Sequence, residues 1–246
     1  MSSEKPTASK RVLRGPRVPR RDGGPHGGRG FYGSPDGRQS ERTERIETKH
    51  TISGPVEDAI YVLDILPTGN PMDRLPTHLR IPIVIGIGNK FFSLLEIEIK
   101  RKNPDIKLQQ KLSLEKTEES LLKSVKRRIK FEELSPTSKN LLESTIEHII
   151  RDDEHRFVEF FNNARPITTR KHQLQLLPGI GKKTLWDFIN AHKQKPFESF
   201  QDIQARVNVM PIPILAKRII EELQTADEKY RLFTRSPPSS SGPGSS

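Results

Sequence analysis

Leu176-Leu177-Pro178-Gly179-Ile180-Gly181-Lys182-Lys183-Thr184 combines residue types and spacing suited to holding an anion. Pro178 lacks an amide proton and stops a helix. Gly179 and Gly181 are free to take φ > 0, and without side chains their amides can come close to a bulky oxyanion. Those amides lead into the start of the next helix, where the macrodipole is positive and a phosphate oxygen is stabilised. Lys182 and Lys183 add charge, and the Thr184 hydroxyl adds a donor. The chemistry expected is contact with a nucleic-acid backbone, which reads no bases.

Other residues extend or compete with this reading. A second corner is expected some thirty residues on, at Val207-Asn-Val-Met-Pro-Ile-Pro-Ile214, which leads into Leu215–Leu223. It lacks both glycines and reads as a degenerate copy, with Lys217 and Arg218 as further candidates for the phosphate surface. Arg170 is another. A hydrolytic alternative rests on Lys183, which could act as a Schiff-base nucleophile like that of a base-excision glycosylase, with Asp202 nineteen residues later. Asp202 lies inside an expected helix, and the chain is too small to hold a flipped base in a second helical domain. The seven histidines show no HExxH or other dense ligand spacing; His148 and His155 alone do not make a metal site. There is no cysteine, which excludes disulfides, thiolate zinc sites and iron–sulfur clusters. Gly86-Ile-Gly88 lacks the Gly-Lys-Ser/Thr of a Walker loop. No catalytic residue, cofactor or metal is expected.

The chain has 246 residues and a net charge of +11. Residues 1–54 carry 12 basic and 6 acidic side chains, and residues 165–246 carry 13 and 7. The stretch 135–164 is acidic instead, with 3 against 6. Positive ends around an acidic middle point to a polyanionic partner. An apolar fraction of 32% leaves part of the chain without a core. Residues 1–54, rich in Arg, Gly and Pro, are predicted to be a disordered basic arm, with Phe31 and Tyr32 able to stack on bases. Residues 236–246 are predicted to be a disordered tail. Met1–Pro6 has no apolar leader and no 18-residue apolar run occurs, so a chain outside the membrane, in the cytoplasm or in a nucleus, is expected.

The elements that must position the corner follow from periodicity. Strands are predicted at Ala59–Leu66, Ile81–Gly88 and Phe91–Ile99, with Pro82 either starting its strand or marking an edge. Residues 101–124 fit no pattern. Lys126–Phe131 reads equally as a basic strand or a helix. From Ser135-Pro136, an N-cap with proline at the first helical position, the pattern turns helical. Leu141, Leu142, Ile146, Ile149 and Ile150 repeat at helical spacing. Asp152 or Asp153 would cap a second helix ended by Pro166. Another is predicted from Thr168 or Thr169 to Leu177, then others at about 182–192, 199–207 and 212–224. The fold class is thus α+β: a β domain over 55–134 followed by an all-α domain over 135–235.

The run Glu154-His-Arg-Phe-Val-Glu-Phe-Phe-Asn-Asn-Ala-Arg-Pro-Ile-Thr-Thr-Arg-Lys-His-Gln-Leu-Gln-Leu-Leu-Pro-Gly-Ile-Gly-Lys-Lys resembles an uncharacterised, mainly archaeal family. So do Pro196–Ile203, Ala216-Lys-Arg-Ile219, Lys229-Tyr-Arg-Leu-Phe233, Tyr61–Pro67 and Phe91–Glu96. The family is described as predicted nucleic-acid-binding proteins, with an OB-like barrel followed by a helix-hairpin-helix domain. The resemblance covers about residues 57–100 and 125–233. It implies a small OB-like barrel with a groove for single strands, where Tyr61, Phe91 and Phe92 are candidates for stacking. Arg74 and Arg80 are further candidates for phosphate contact.

The expected function is non-enzymatic binding of RNA or DNA through Gly179, Ile180, Gly181, Lys182, Lys183 and Thr184, with Arg170, Lys217 and Arg218 in support. The competing expectation is a protein-interaction scaffold, for which Glu143, Glu147, Asp152 and Asp153 would supply an acidic face. RNA versus DNA and the oligomeric state stay open at this point.

Overall fold

The computed structural model describes residues 57–236, except 72, 101–104, 116, 118 and 119. The basic arm expected at 1–54 lies outside the described residues, as does the tail beyond Ser236.

Five strands form one antiparallel sheet: β1 (Ala59–Leu66), β2 (Ile83–Gly88), β3 (Leu94–Ile99), β4 (Lys111–Ser113) and β5 (Leu122–Arg128), in the order β4-β1-β2-β3-β5. No ladder joins β4 to β5, so the sheet is a curled half-barrel and not a closed one. Register shifts at Val62/Asp64, Glu96/Ile97 and Glu98/Ile99 supply the bulges that bend such a sheet. β2 follows directly on Pro82. It is a central strand, so proline marks its start and not an edge.

The strands read as nearly unbroken apolar runs because both faces are covered. Ile60, Val62, Val84, Leu95, Ile97 and Ile99 close one core with Leu112 of β4 and Leu122 of β5. Tyr61, Leu63, Ile83, Ile85, Ile87 and Leu94 pack on the helices. Gly86 is required by the first core: a Cβ there would lie 2.8 Å from Ile60 Cδ1.

The helical layer holds α1 (Pro136–Asp152), α2 (Glu154–Asn163), α3 (Lys182–Gln194), α4 (Phe200–Val207) and α5 (Pro211–Gln224). The Ser135 hydroxyl accepts the Ser138 amide at 3.1 Å to cap α1, and Pro136 occupies the first turn. Leu142, Ile146, Ile149 and Ile150 then share a core with the sheet and with α5. That core runs without a break across the expected boundary at 134–135.

Two open stretches are resolved, and two expectations need correction. The ambiguous stretch 101–124 contains β4, and β5 begins at Leu122 and ends before Phe131. The helix expected from Thr168 to Leu177 does not form. Its place is taken by a hairpin, β6 (Pro166–Thr168) and β7 (Lys171–His172), followed by a 3₁₀ turn at Gln173–Leu176. β-branched Ile167, Thr168 and Thr169 after Pro166 favour extended backbone over a helix. Tyr61 and Phe92 are core residues and offer no stacking face: Tyr61 bonds Asp152 through its hydroxyl, and Phe92 packs on Phe157.

Candidate nucleic-acid interface

The corner is held from below by apolar anchors. Leu174, Leu176, Leu177 and Ile180 are buried, and Ile180 is only 5% exposed. The Ile180 amide donates to the Leu177 carbonyl at 3.2 Å, which tightens the bend. The 3₁₀ turn ahead of it is clasped by His172, whose Nδ1 accepts the Leu174 amide at 3.2 Å. The Gln175 side chain accepts the His172 amide in return, at 2.9 Å. Burial lowers the His172 pKa, which keeps the imidazole neutral and its Nδ1 able to accept.

Above these anchors the backbone is bare. Gly179 has φ +84°, a conformation that penalises any side chain. Gly181 differs from expectation: it is the N-cap of α3 with φ −85° and ψ −174°, ordinary extended backbone. A Cβ at either glycine would meet nothing within 4 Å. The fold therefore has no need of its own for glycine at 181. Gly179, Gly181, Lys182 and Lys183 are exposed, and Thr184 is half-buried. The amides of Gly179, Gly181, Lys182 and Lys183 have no acceptor among the described residues, and α3 has no side-chain cap. Neither lysine has a carboxylate within ion-pair distance there.

The other end of α3 is closed. Arg206 of α4 donates to the Ala191 carbonyl and, at 2.7 Å, to the Lys195 carbonyl, while its guanidinium lies 4.7 Å from the Phe197 ring centre. Asp202 holds Arg206 at 3.0 Å. Burial opposes ionisation of Asp202, but Arg206 and the Glu198 amide outweigh it and lower its pKa. Asp202 is thus a structural partner of Arg206, and no ion pair joins it to Lys183. The negative pole of α3 is neutralised and its positive pole is left open.

The supporting candidates divide. Arg170 and Lys217 are exposed, with side chains that pair with no other described residue. Arg218 is not part of this surface, contrary to expectation. It is 6% exposed and donates to Glu222 at 2.9 Å and to the Tyr230 carbonyl at 2.5 Å. Glu222, wholly buried, also accepts the amides of Leu232, Phe233 and Thr234 at 2.7–3.1 Å, pinning the returning C-terminal segment. Arg80 is likewise consumed, by the carbonyls of Leu75 and Asp73. Phe91 is half-buried under the Arg235 guanidinium, 4.7 Å from its ring centre.

Near the open seam between β4 and β5 lies a cavity of about 270 Å³, lined by Leu112, Ser113, Glu115, Thr117, Ser120, Leu121 and Leu122. Its described lining has no aromatic or cationic side chain, unlike a groove for a polyanion. Among the described residues no group of three or more His, Cys, Asp or Glu side chains could hold a metal ion. No helix there is long and apolar enough to cross a membrane.

Sequence periodicity missed one exposed residue. Trp186, in the second turn of α3, is 59% exposed. Its place four residues after Lys182 is the signal that would have found it.

Fold and site together define an α+β chain in which a half-barrel sheet supports a helical layer with one bare, cationic corner. Residues 56–235 match the family model described as "Protein of unknown function (DUF655)", and the chain belongs to this family. It is similar to "Uncharacterized protein MJ0038" of Methanocaldococcus jannaschii, 42% identical over 180 residues, which span 73% of this chain and 80% of the relative. It is also similar to the crystal structure of Af1531 from Archaeoglobus fulgidus, described as a DUF655 family model. That likeness has a TM-score of 0.67 and 44% identity, and covers 73% of this chain and all of the other.

Proposed function

We propose that this protein binds the phosphate backbone of nucleic acid, without catalysis and without strong sequence preference. The observation that carries this reading is the corner at 178–184. Its amides have no acceptor among the described residues, at the positive end of a helix with no side-chain cap, and Lys182 and Lys183 have no ion-pair partner there. An oxyanion is the ligand such a corner stabilises. In this reading residues 173–194 are a variant helix-hairpin-helix whose first helix has shrunk to a 3₁₀ turn, and the half-barrel is OB-like in its curl. Arg170 and Lys217 extend the footprint; Arg218 does not. The net charge of +11 brings the polyanion in.

The test is fluorescence anisotropy with RNA, single-stranded DNA and duplex DNA across salt. Wild type should bind in the range of about 10⁻⁴ to 10⁻⁶ M at physiological salt, with a log–log slope of about −0.9 for each duplex phosphate engaged. Reversing Lys182 and Lys183 to Glu should flatten the slope and weaken binding. Salt-insensitive binding that survives this reversal would return the scaffold reading. Leu75, Leu79 and Ile81, exposed together ahead of β2, are the surface that favours it.

A further inference from the structure

We infer that Trp186 stacks on an unpaired base, which makes single-stranded nucleic acid the ligand class of this surface. The inference deepens the phosphate-binding reading and rests on it.

Trp186 is the only tryptophan of the chain. Its indole has no ring or cation partner among the described residues, and it is 59% exposed. The helix buries Phe188 and Ala191, with Phe188 stacked on Phe161 at 5.3 Å and 4°. Trp186 stands on the opposite side, four residues after Lys182 and three after Lys183. Residues so spaced share one face of a helix. Asp187, Asn190 and Lys193 complete the exposed side. The three lysines have no carboxylate within ion-pair distance among the described residues, so the exposed side of α3 carries net positive charge, three lysines against Asp187.

Charge decides the occupant. The other large exposed apolar side chains, Leu75, Leu79, Ile81, Leu108 and Met210, are aliphatic and suit an apolar protein surface. A flat indole flanked by cations suits a ligand with flat rings strung on anions. In a duplex the bases are stacked inward and leave no free face. In a single strand each base has one, and stacking on an aromatic side chain tolerates any sequence. Lys182 and Trp186 lie one helical turn apart, with Cβ atoms about 6 Å from each other, so one strand can engage both side chains.

The indole reports on itself. Trp emission of the full chain would be followed while labelled probes are titrated in. The probes are single-stranded RNA and DNA of about ten nucleotides, a length within the usual span of such sites, a blunt duplex of the same sequence, and inorganic polyphosphate. Emission should be quenched by the single strands in step with their anisotropy, and left unchanged by polyphosphate. Trp186→Ala should weaken single-strand binding roughly tenfold or more, the scale of one lost base stack, and should weaken duplex binding less. Trp186→Phe should restore most of the loss. Single strands that bind without quenching, and equally well to Trp186→Ala, overturn the inference and leave phosphate binding standing. No binding of any probe overturns both. Emission that shifts with protein concentration alone overturns the inference in favour of a protein contact at the indole.

Discussion

Gly181→Asp should make the protein more stable and a poorer binder. The backbone at 181 already has extended N-cap geometry, and a side chain there enters open space. An aspartate can accept the orphan amide two or three residues on, worth a few tenths of a kcal/mol over glycine. Its charge beside the macrodipole adds about 0.3–1 kcal/mol. Loss of glycine freedom in the unfolded chain adds about 0.4–1 kcal/mol. Together these give about 1–2 kcal/mol, or a rise in Tm of roughly 2–8 °C at 2–4 °C per kcal/mol for a unit of this size. The same carboxylate occupies the amides that would receive a phosphate and repels it. One lost set of charge-assisted hydrogen bonds costs about 1.5–3 kcal/mol, ten- to hundredfold in affinity. The salt slope should fall by about 0.9. Thermal unfolding and salt-dependent anisotropy on one preparation read both quantities. Gly179→Ala is the control: at φ +84° it should lower stability by about 1–2 kcal/mol. If Gly181→Asp is stabilised yet binds with the wild-type slope, the corner is not the anion site. A fall in its Tm would show that the capping geometry is wrong.

Other outcomes follow from the same contacts. Glu222→Ala leaves Arg218 only the more exposed Glu221 and Glu228 for charge and frees the amides of Leu232–Thr234, and should cost about 3–5 kcal/mol in a urea titration without altering any nucleic-acid affinity of the folded fraction. His172 has a folded pKa below its unfolded value of about 6.5. Its contribution is therefore complete above that pH and lost as pH falls through the folded value. His172→Asn, which keeps an acceptor for the Leu174 amide, should flatten this acid limb of the urea midpoint. Removing residues 1–54, with their 12 basic side chains, should make the salt slope shallower without changing the effect of Gly181→Asp; equal slopes with and without the arm would exclude it from the footprint.

Where the sequence was legible, punctuation and period agreed. Pro82 placed the start of β2, Ser135-Pro136 placed α1, and the alternation of Leu95, Ile97 and Ile99 against Glu96 and Glu98 placed β3. β4 has one inward residue, Leu112, between exposed Lys111 and Ser113; three residues cannot show a period. The 3₁₀ turn is hard to tell from a helix in sequence because Leu174 and Leu177 are three apart, a spacing that both kinds of turn satisfy. In the site, the glycines and lysines were visible as types, but their states were not. Gly179 has the positive φ expected of both. Arg218 read as a surface cation because it follows Lys217; Glu222, four residues on, is what draws it inside. Trp186 does not stand out in sequence because an apolar residue in an amphipathic helix reads as core.

The two corners show why only one is open. Gly181 and Met210 both cap the start of a helix, α3 and α5. After Gly181 come Lys182, Lys183 and Thr184, each with an amide proton. After Met210 come Pro211, Ile212 and Pro213, so two of the first three donors are missing. Met210 itself is 61% exposed where the first corner is bare. Asn208 makes the second bend with φ +56°, the part Gly179 plays in the first, so the turn survives while its capacity for anions does not. The helix behind the second corner has turned inward, with Arg218 and Glu222 holding the C-terminal segment. One corner thus carries structure and the other is free for a ligand. A single port holds one phosphate, and one phosphate gives weak binding. On the reading proposed above, useful affinity comes from further contacts along the same strand, the indole one turn from the port among them, each raising the effective concentration of the next.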